Sequence, residues 1–197
     1  MCCSISNIVF LGTAMLAVSL STQVRAESRM IELPTSQVYT NGPSQFRFPP
    51  TIATFQRESK VSQYDSEGRD VGVGYNDLLH NVAATAFVYP VGQRPPNDKL
   101  DGHFGTCKAE VFKRHPNAKL LYEGKIQIIP DGHKQDGLHA NFAFTDIFAH
   151  RRQPVGSELY LFVHRHTFVL FRITYPTGQE TATEPTVKAF IDGLDWP

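Results

Sequence analysis

Two apolar runs joined by a short polar link, YLFVHRHTFVLF (160–171), place the tightest constraint on what this chain can fold into. Successive side chains of an extended strand point to opposite faces. In the first run Tyr160 and Phe162 face one way, while Leu159, Leu161 and Val163 face the other. Neither face can be left to water, so a packed layer is needed on each side. The second run, TFVLFRITYP, is equally strand-like, and antiparallel pairing of the two puts Arg165 and His166 at the turn.

The rest of the chain supplies more strands and the material for those layers. Residues 27–45 carry Pro34, Asn41, Gly42 and Pro43 with little periodicity and read as an extended N-terminal segment. Residues 46–197 read as a single domain. ATFQRESKVSQYD and VGVGYND flank the turn DSEGRD, a first hairpin in which Gly68 can take positive φ. NVAATAFVYP forms a third strand, with Val82, Ala84, Ala86 and Val88 on one face. After the loop VGQRPP the period changes: Leu100, Phe104, Cys107 and Val111 recur at helical spacing between a capping Asp98 and the terminating Pro116. AKLLYEGKIQIIP, QDGLHANFAFTDI, SELYLFVHR and TFVLFRITYP then follow as strands. A closing helix from about Thr183 to Leu194 repeats Val187, Phe190, Ile191 and Leu194 on one side. FVYPVGQ and ITYPTGQ both leave a strand through Tyr-Pro toward a helix, and the unlike flanks favour a repeated turn solution over a duplication. The order predicts an α+β domain, a mainly antiparallel β-sheet covered by helices, and not a doubly wound parallel sheet.

The N-terminus differs in kind. IVFLGTAMLAVSL is uncharged and apolar, and STQVRA after it has the small residues that precede a signal-peptidase cut. Residues 1–26 are therefore expected to be a signal peptide cleaved after Ala26, although MCCSISN lacks the usual positive charge. The run is shorter than the roughly 20 residues a comfortable membrane span needs, so no integral span is expected after cleavage. Cys2 and Cys3 would leave with the peptide, so a mature chain keeps Cys107 alone and no internal disulfide. That favours a bacterial periplasmic or secreted location over a disulfide-rich extracellular module. With 19 basic and 19 acidic residues in 197, the chain has no general attraction to nucleic acid or to anionic membrane, and nucleic acid is not expected as a partner.

Chemical motifs are sparse. His164 and His166 would share a face if the strand ran through them, and two imidazoles so placed can chelate a metal, but a turn there removes that face. The loop PDGHKQDGLH offers His133 and His139 with Asp131 and Asp136, yet its two Asp-Gly pairs are turn chemistry and its spacing matches no calcium or zinc pattern. A metal site needs this loop and the His164 turn to meet at one end of the sheet. Cys107, one turn from His103, has a nucleophile's neighbour but lies in phase with the buried helix face, where cysteine acts as a small hydrophobe. The chain has no G-x-S-x-G elbow, no H-E-x-x-H helix and no phosphate-cradling glycine loop, and Gly72 to Gly74 sits inside a strand. Glu58, Asp65, Asp70 and Asp77 read as solvated turn and edge charges. The aromatic residues along the last strands leave room for a small-molecule groove between sheet and helix.

FRFPPTIATFQRES, DVGVGYND, AATAFVYP, ELYLFV and FRITYP, with a terminal helix ending GLDWP, resemble a group of uncharacterised exported bacterial proteins. The element order is similar to the PsbP and DcrB type of α-β-α sandwich. That resemblance covers most of the mature chain, carries no catalytic signature, and implies an envelope protein with a binding, assembly or stress-related role. The expectation is a noncatalytic binding module for an envelope protein or a small apolar ligand, with no cofactor. The alternative is a metal-binding protein or enzyme using the loop histidines.

Overall fold

The computed structural model describes residues 28–91 and 100–197. The expected signal peptide, the capping Asp98, nearly all of the VGQRPP loop and the side chain of Asp131 lie outside the described residues. Short strands β1 (Arg29–Glu32), β2 (Tyr39–Thr40), β3 (Arg47–Phe48) and β4 (Thr51–Ile52) precede the long ones. Then come β5 (Phe55–Gln63), β6 (Val71–Asp77), β7 (Val82–Pro90), α1 (Leu100–Arg114), β8 (Lys119–Ile128), β9 (Gln135–Phe148), β10 (Arg151–His164), β11 (Thr167–Pro176) and α2 (Glu180–Asp192). One sheet runs in the order β1-β5-β6-β7-β11-β10-β9-β8, with β4 also on β5, and every pairing is antiparallel.

The hairpin of β10 and β11 has the expected register, with His164 opposite Thr167 and Arg165 at φ +54° in the two-residue turn. The join of β7 to β11 is nonlocal: Ala86 lies opposite Phe171, and α1 with three strands intervenes in the chain. The 27–45 segment contributes an edge strand, because Ile31 pairs with Val61, and the buried Arg57 guanidinium donates to the Pro34 and Gln37 carbonyls at 2.9 Å each. Strand β10 also begins six residues before the expected Ser157, at Arg151. The cause is a two-residue turn at Ala149 and His150, both at positive φ, which lacks the glycine or asparagine that normally marks such a hairpin.

Alternation along β10 separates two cores. Leu159 and Leu161 pack with Phe104, Cys107 and Val111 of α1. Tyr160 and Phe162 belong to the other core, with Val187, Phe190 and Ile191 of α2. Phe190 meets Phe55, Tyr75 and Phe171 with ring centroids 4.5, 5.1 and 5.9 Å away. That second face is not closed by α2 alone. Phe46, Phe48 and Ile52 from the N-terminal stretch and Trp196 from the C-terminus complete it. Burial of a Phe or Leu side chain stabilises by roughly 1.5–3 kcal/mol, which explains why aromatic residues were placed on both faces.

Candidate functional site

Helix α1 stands off the sheet enough to leave a cleft beside its buried stripe. Cys107 and Val111 from the helix and Phe87, Leu159 and Leu170 from the sheet form its apolar floor. Tyr64, Asp70, Glu110, Arg114 and Arg172 form a polar rim. The cleft volume is about 40 Å³, room for a side-chain-sized group and well below the several hundred Å³ of a typical small-molecule site. His103, at the helix margin, stacks on Phe168 at 4.2 Å, and its Nε2 lies 2.8 Å from the Tyr89 hydroxyl, so it bonds at the edge of the core.

Arg114 also borders a second, open depression of about 730 Å³ beyond the end of α1. His115, Lys119, Phe144, Asp146 and Arg152 surround it with Arg114. The His115 ring lies on Phe144 with centroids 3.9 Å apart. Burial pushes the His115 imidazole below its ordinary pKa; Asp146 opposes the shift, and Arg172 and Arg114 add to it. Arg114, Lys119 and Arg152 are all exposed, so the depression presents a net positive surface around an aromatic floor. No charge run in the chain announces this patch, because its cations come from α1, β8 and β10.

A buried polar network occupies the opposite face. Glu158, in phase with Tyr160 and Phe162, is only 8% exposed. Its carboxylate accepts from the Tyr160 hydroxyl and, at 2.6 Å, from the Tyr175 hydroxyl, and His139 Nε2 lies 3.0 Å away. The His139 ring lies flat on Tyr160, centroids 4.2 Å apart. Burial pushes the Glu158 carboxyl up, but the bonds from His139, Tyr160 and Tyr175 outweigh it and hold the group below its ordinary pKa. The tyrosine hydroxyls move the other way, raised by burial and then by the carboxylate beside them. Every oxygen of Glu158 is engaged, so the network is a locked structural charge. One sequence signal pointed to it: a carboxylate spaced two residues from Tyr160 in a strand apolar on both faces.

The four histidines considered as ligands go to separate places. His133 follows a 3-10 turn, Pro130–Gly132, and is exposed, as is His166 at the hairpin tip. His164 is clamped among Phe46, Trp196 and the C-terminus, its Nε2 2.6 Å from the Pro197 carbonyl. The PDGHKQDGLH loop does reach the β10–β11 end, through Gln135, whose amide donates to the Val163 carbonyl at 3.0 Å. His139 lies opposite Tyr160, four positions from His164 along β10, which is about 13 Å at the rise of a strand. Among the described residues no group of three His, Cys, Asp or Glu side chains is placed to hold a metal ion.

The acidic residues near the first hairpin divide. Asp65 caps its turn by accepting from the Arg69 backbone N–H at 2.8 Å, and Glu58 accepts from Asn76 at 2.9 Å. Asp77 differs from a solvated edge charge: it is 1% exposed and binds Thr54 Oγ1 at 2.5 Å and His80 Nδ1 at 2.6 Å. Burial raises its pKa, but these bonds, with the His80 backbone N–H, leave it below the ordinary value.

Neither a protein-family model nor a curated protein matches the chain. Among solved structures it is similar to cyanobacterial PsbP from Synechocystis sp. PCC 6803, at 8% identity and TM-score 0.48, over 92% of this chain and 99% of that one. It is also similar to a Pseudomonas aeruginosa protein of unknown function described as a regulator, at 11% identity and TM-score 0.42, over 88% and 85% of the two chains. The Ran-binding protein Mog1p of Saccharomyces cerevisiae is a further match, at 14% identity and TM-score 0.33, over 83% and 84%. The α+β assignment rests on this chain's own antiparallel sheet and two helices.

Proposed function

We propose that this protein is an exported, noncatalytic binding module of the bacterial envelope, layered like the PsbP type of α-β-α sandwich, that docks a partner protein on its α1 face. The carrying observation is continuity: Arg114 borders both the apolar cleft and the basic depression. The cleft accepts one apolar side chain, and Arg114, Lys119 and Arg152 favour acidic residues beside that anchor. The small cleft volume favours a protein segment over a free apolar ligand.

The reading is tested by co-purification from native envelopes with wild-type protein and with Arg114→Glu/Arg152→Glu. A partner held by wild type, lost by the charge reversal, and rebound in purified form with an affinity that falls as salt rises supports the proposal. A folded reversal variant that keeps every wild-type partner refutes it. Export is tested separately by cell fractionation with N-terminal sequencing, for which an N-terminus at Glu27 is expected.

A further inference from the structure

The sheet ends at β8, and among the described residues no strand pairs with its outer edge. An open edge offers a row of backbone donors and acceptors to another strand. This one is long, and beyond the irregularity at Leu121 it carries an exposed apolar ring, Tyr122, 51% exposed. The sheet's opposite end is β1, of only four residues.

The charge order along β8 specifies what fits the edge. If a second copy of β8 runs antiparallel about a two-fold axis through Gly124, Glu123 of each copy faces Lys125 of the other, and Tyr122 faces Ile126. Both ion pairs fall on the α1 side of the sheet and both apolar pairs on the α2 side, because residues opposite one another share a face. Shifting the axis by one residue, the smallest shift that keeps the faces aligned, sets Glu123 against Glu123 or Lys125 against Lys125. Like charges directly opposite are destabilising, so the strand selects one self-register. The axis residue has no side chain to obstruct the approach, and the Tyr122 hydroxyl closes over it, where a Cβ would lie. On the α1 side Glu123 also meets Lys108 Nζ of α1 at 2.5 Å, so its carboxylate is shared between an intramolecular cation and the Lys125 of the second copy.

We propose that the protein forms a two-fold symmetric dimer by antiparallel pairing of β8 with β8 of a second copy, making one continuous sheet. Self-pairing of one edge is isologous and closes at two copies, whereas β8 against β1 would extend without limit. The bulge between Leu120 and Tyr122 limits the pairing to the part of β8 beyond it.

The test is sedimentation velocity of the purified protein over the micromolar range, with near-UV circular dichroism to verify folding. Wild type is expected to dimerise with a two-fold increase in mass. Lys125→Glu sets two carboxylates opposite one another at both symmetric positions and is expected to weaken the dimer by about tenfold or more. Glu123→Lys/Lys125→Glu restores opposite charges and is expected to recover dimerisation. If Lys125→Glu fails to fold, Lys125→Gln removes only the attraction and is expected to weaken the dimer by a smaller factor. A wild type that stays monomeric, a dimer indifferent to either Lys125 change, or a double exchange no better than the single one overturns the proposal.

Discussion

Removing the Tyr175 hydroxyl tests whether the Glu158 network holds the sheet together. In Tyr175→Phe the ring keeps its place in the core, and the hydroxyl that is lost donates to the Glu158 carboxylate at 2.6 Å and accepts only a long contact, 3.5 Å, from Asn141 Nδ2. A hydrogen bond to a charged group contributes about 1.5–3 kcal/mol, and a domain of this size loses about 2–4 °C of Tm per kcal/mol, so a fall of about 3–12 °C at neutral pH is expected. Glu158→Ala is worse, about 3–5 kcal/mol, because it leaves two tyrosine hydroxyls and His139 facing an empty, buried position. The pH dependence gives the sharper test. Glu158 has a folded pKa below its ordinary 4.5, so its contribution is complete above that value and is lost as pH falls through the lower folded value. Glu158→Gln does not titrate. Urea unfolding from pH 7 down to pH 3 should therefore show the wild-type advantage over Glu158→Gln shrinking below pH 4.5. Asp77 titrates in the same direction in both proteins and cancels in the difference. A difference that stays constant or grows with acid, or a Tyr175→Phe variant as stable as wild type, refutes the account.

Three further outcomes follow from the packing. Asp77→Ala removes the acceptor for Thr54, His80 and the Leu79 and His80 backbone N–H groups, and a loss of about 2–4 kcal/mol by chemical denaturation is expected. Phe190→Ala empties the contact with Phe55, Tyr75 and Phe171 and should cost about 3–5 kcal/mol in the same measurement. His150→Gly relieves an exposed left-handed residue at φ +63° and should raise the thermal midpoint, with a gain of about 0.5–1 kcal/mol.

Local alternation was readable wherever it had no competitor. The two-sided burial of β10, the first hairpin, the in-phase residues of α1 and the turn at Arg165 and His166 all follow from spacing within one element. The start of β10 was hidden because Ala149 and His150 adopt a turn geometry they do not advertise. The helix before the C-terminus starts three residues earlier than its apolar repeat suggests, at Glu180, since its first turn follows Gly178 at φ +91° and buries little. Asp77 looked like an edge charge because its acceptors' partners, Thr54 and His80, are polar residues with no distinctive spacing.

By itself, the sequence determined that the chain builds an antiparallel sheet with apolar faces on both sides and helices to pack against it. That information is local: side-chain direction alternates along a strand whatever its neighbours are. Tertiary structure alone decided that β7 lies against β11, that Tyr175 and His139 converge on Glu158, and that Arg114, Lys119 and Arg152 share one depression. Each of those outcomes joins residues far apart in the chain, and strand order, on which they all depend, is set by the packing of the whole sheet. The histidines of VHRHT illustrate the division. Spacing located the turn, but only the packed C-terminus made His164 a clamp on Pro197 and left His166 in solvent.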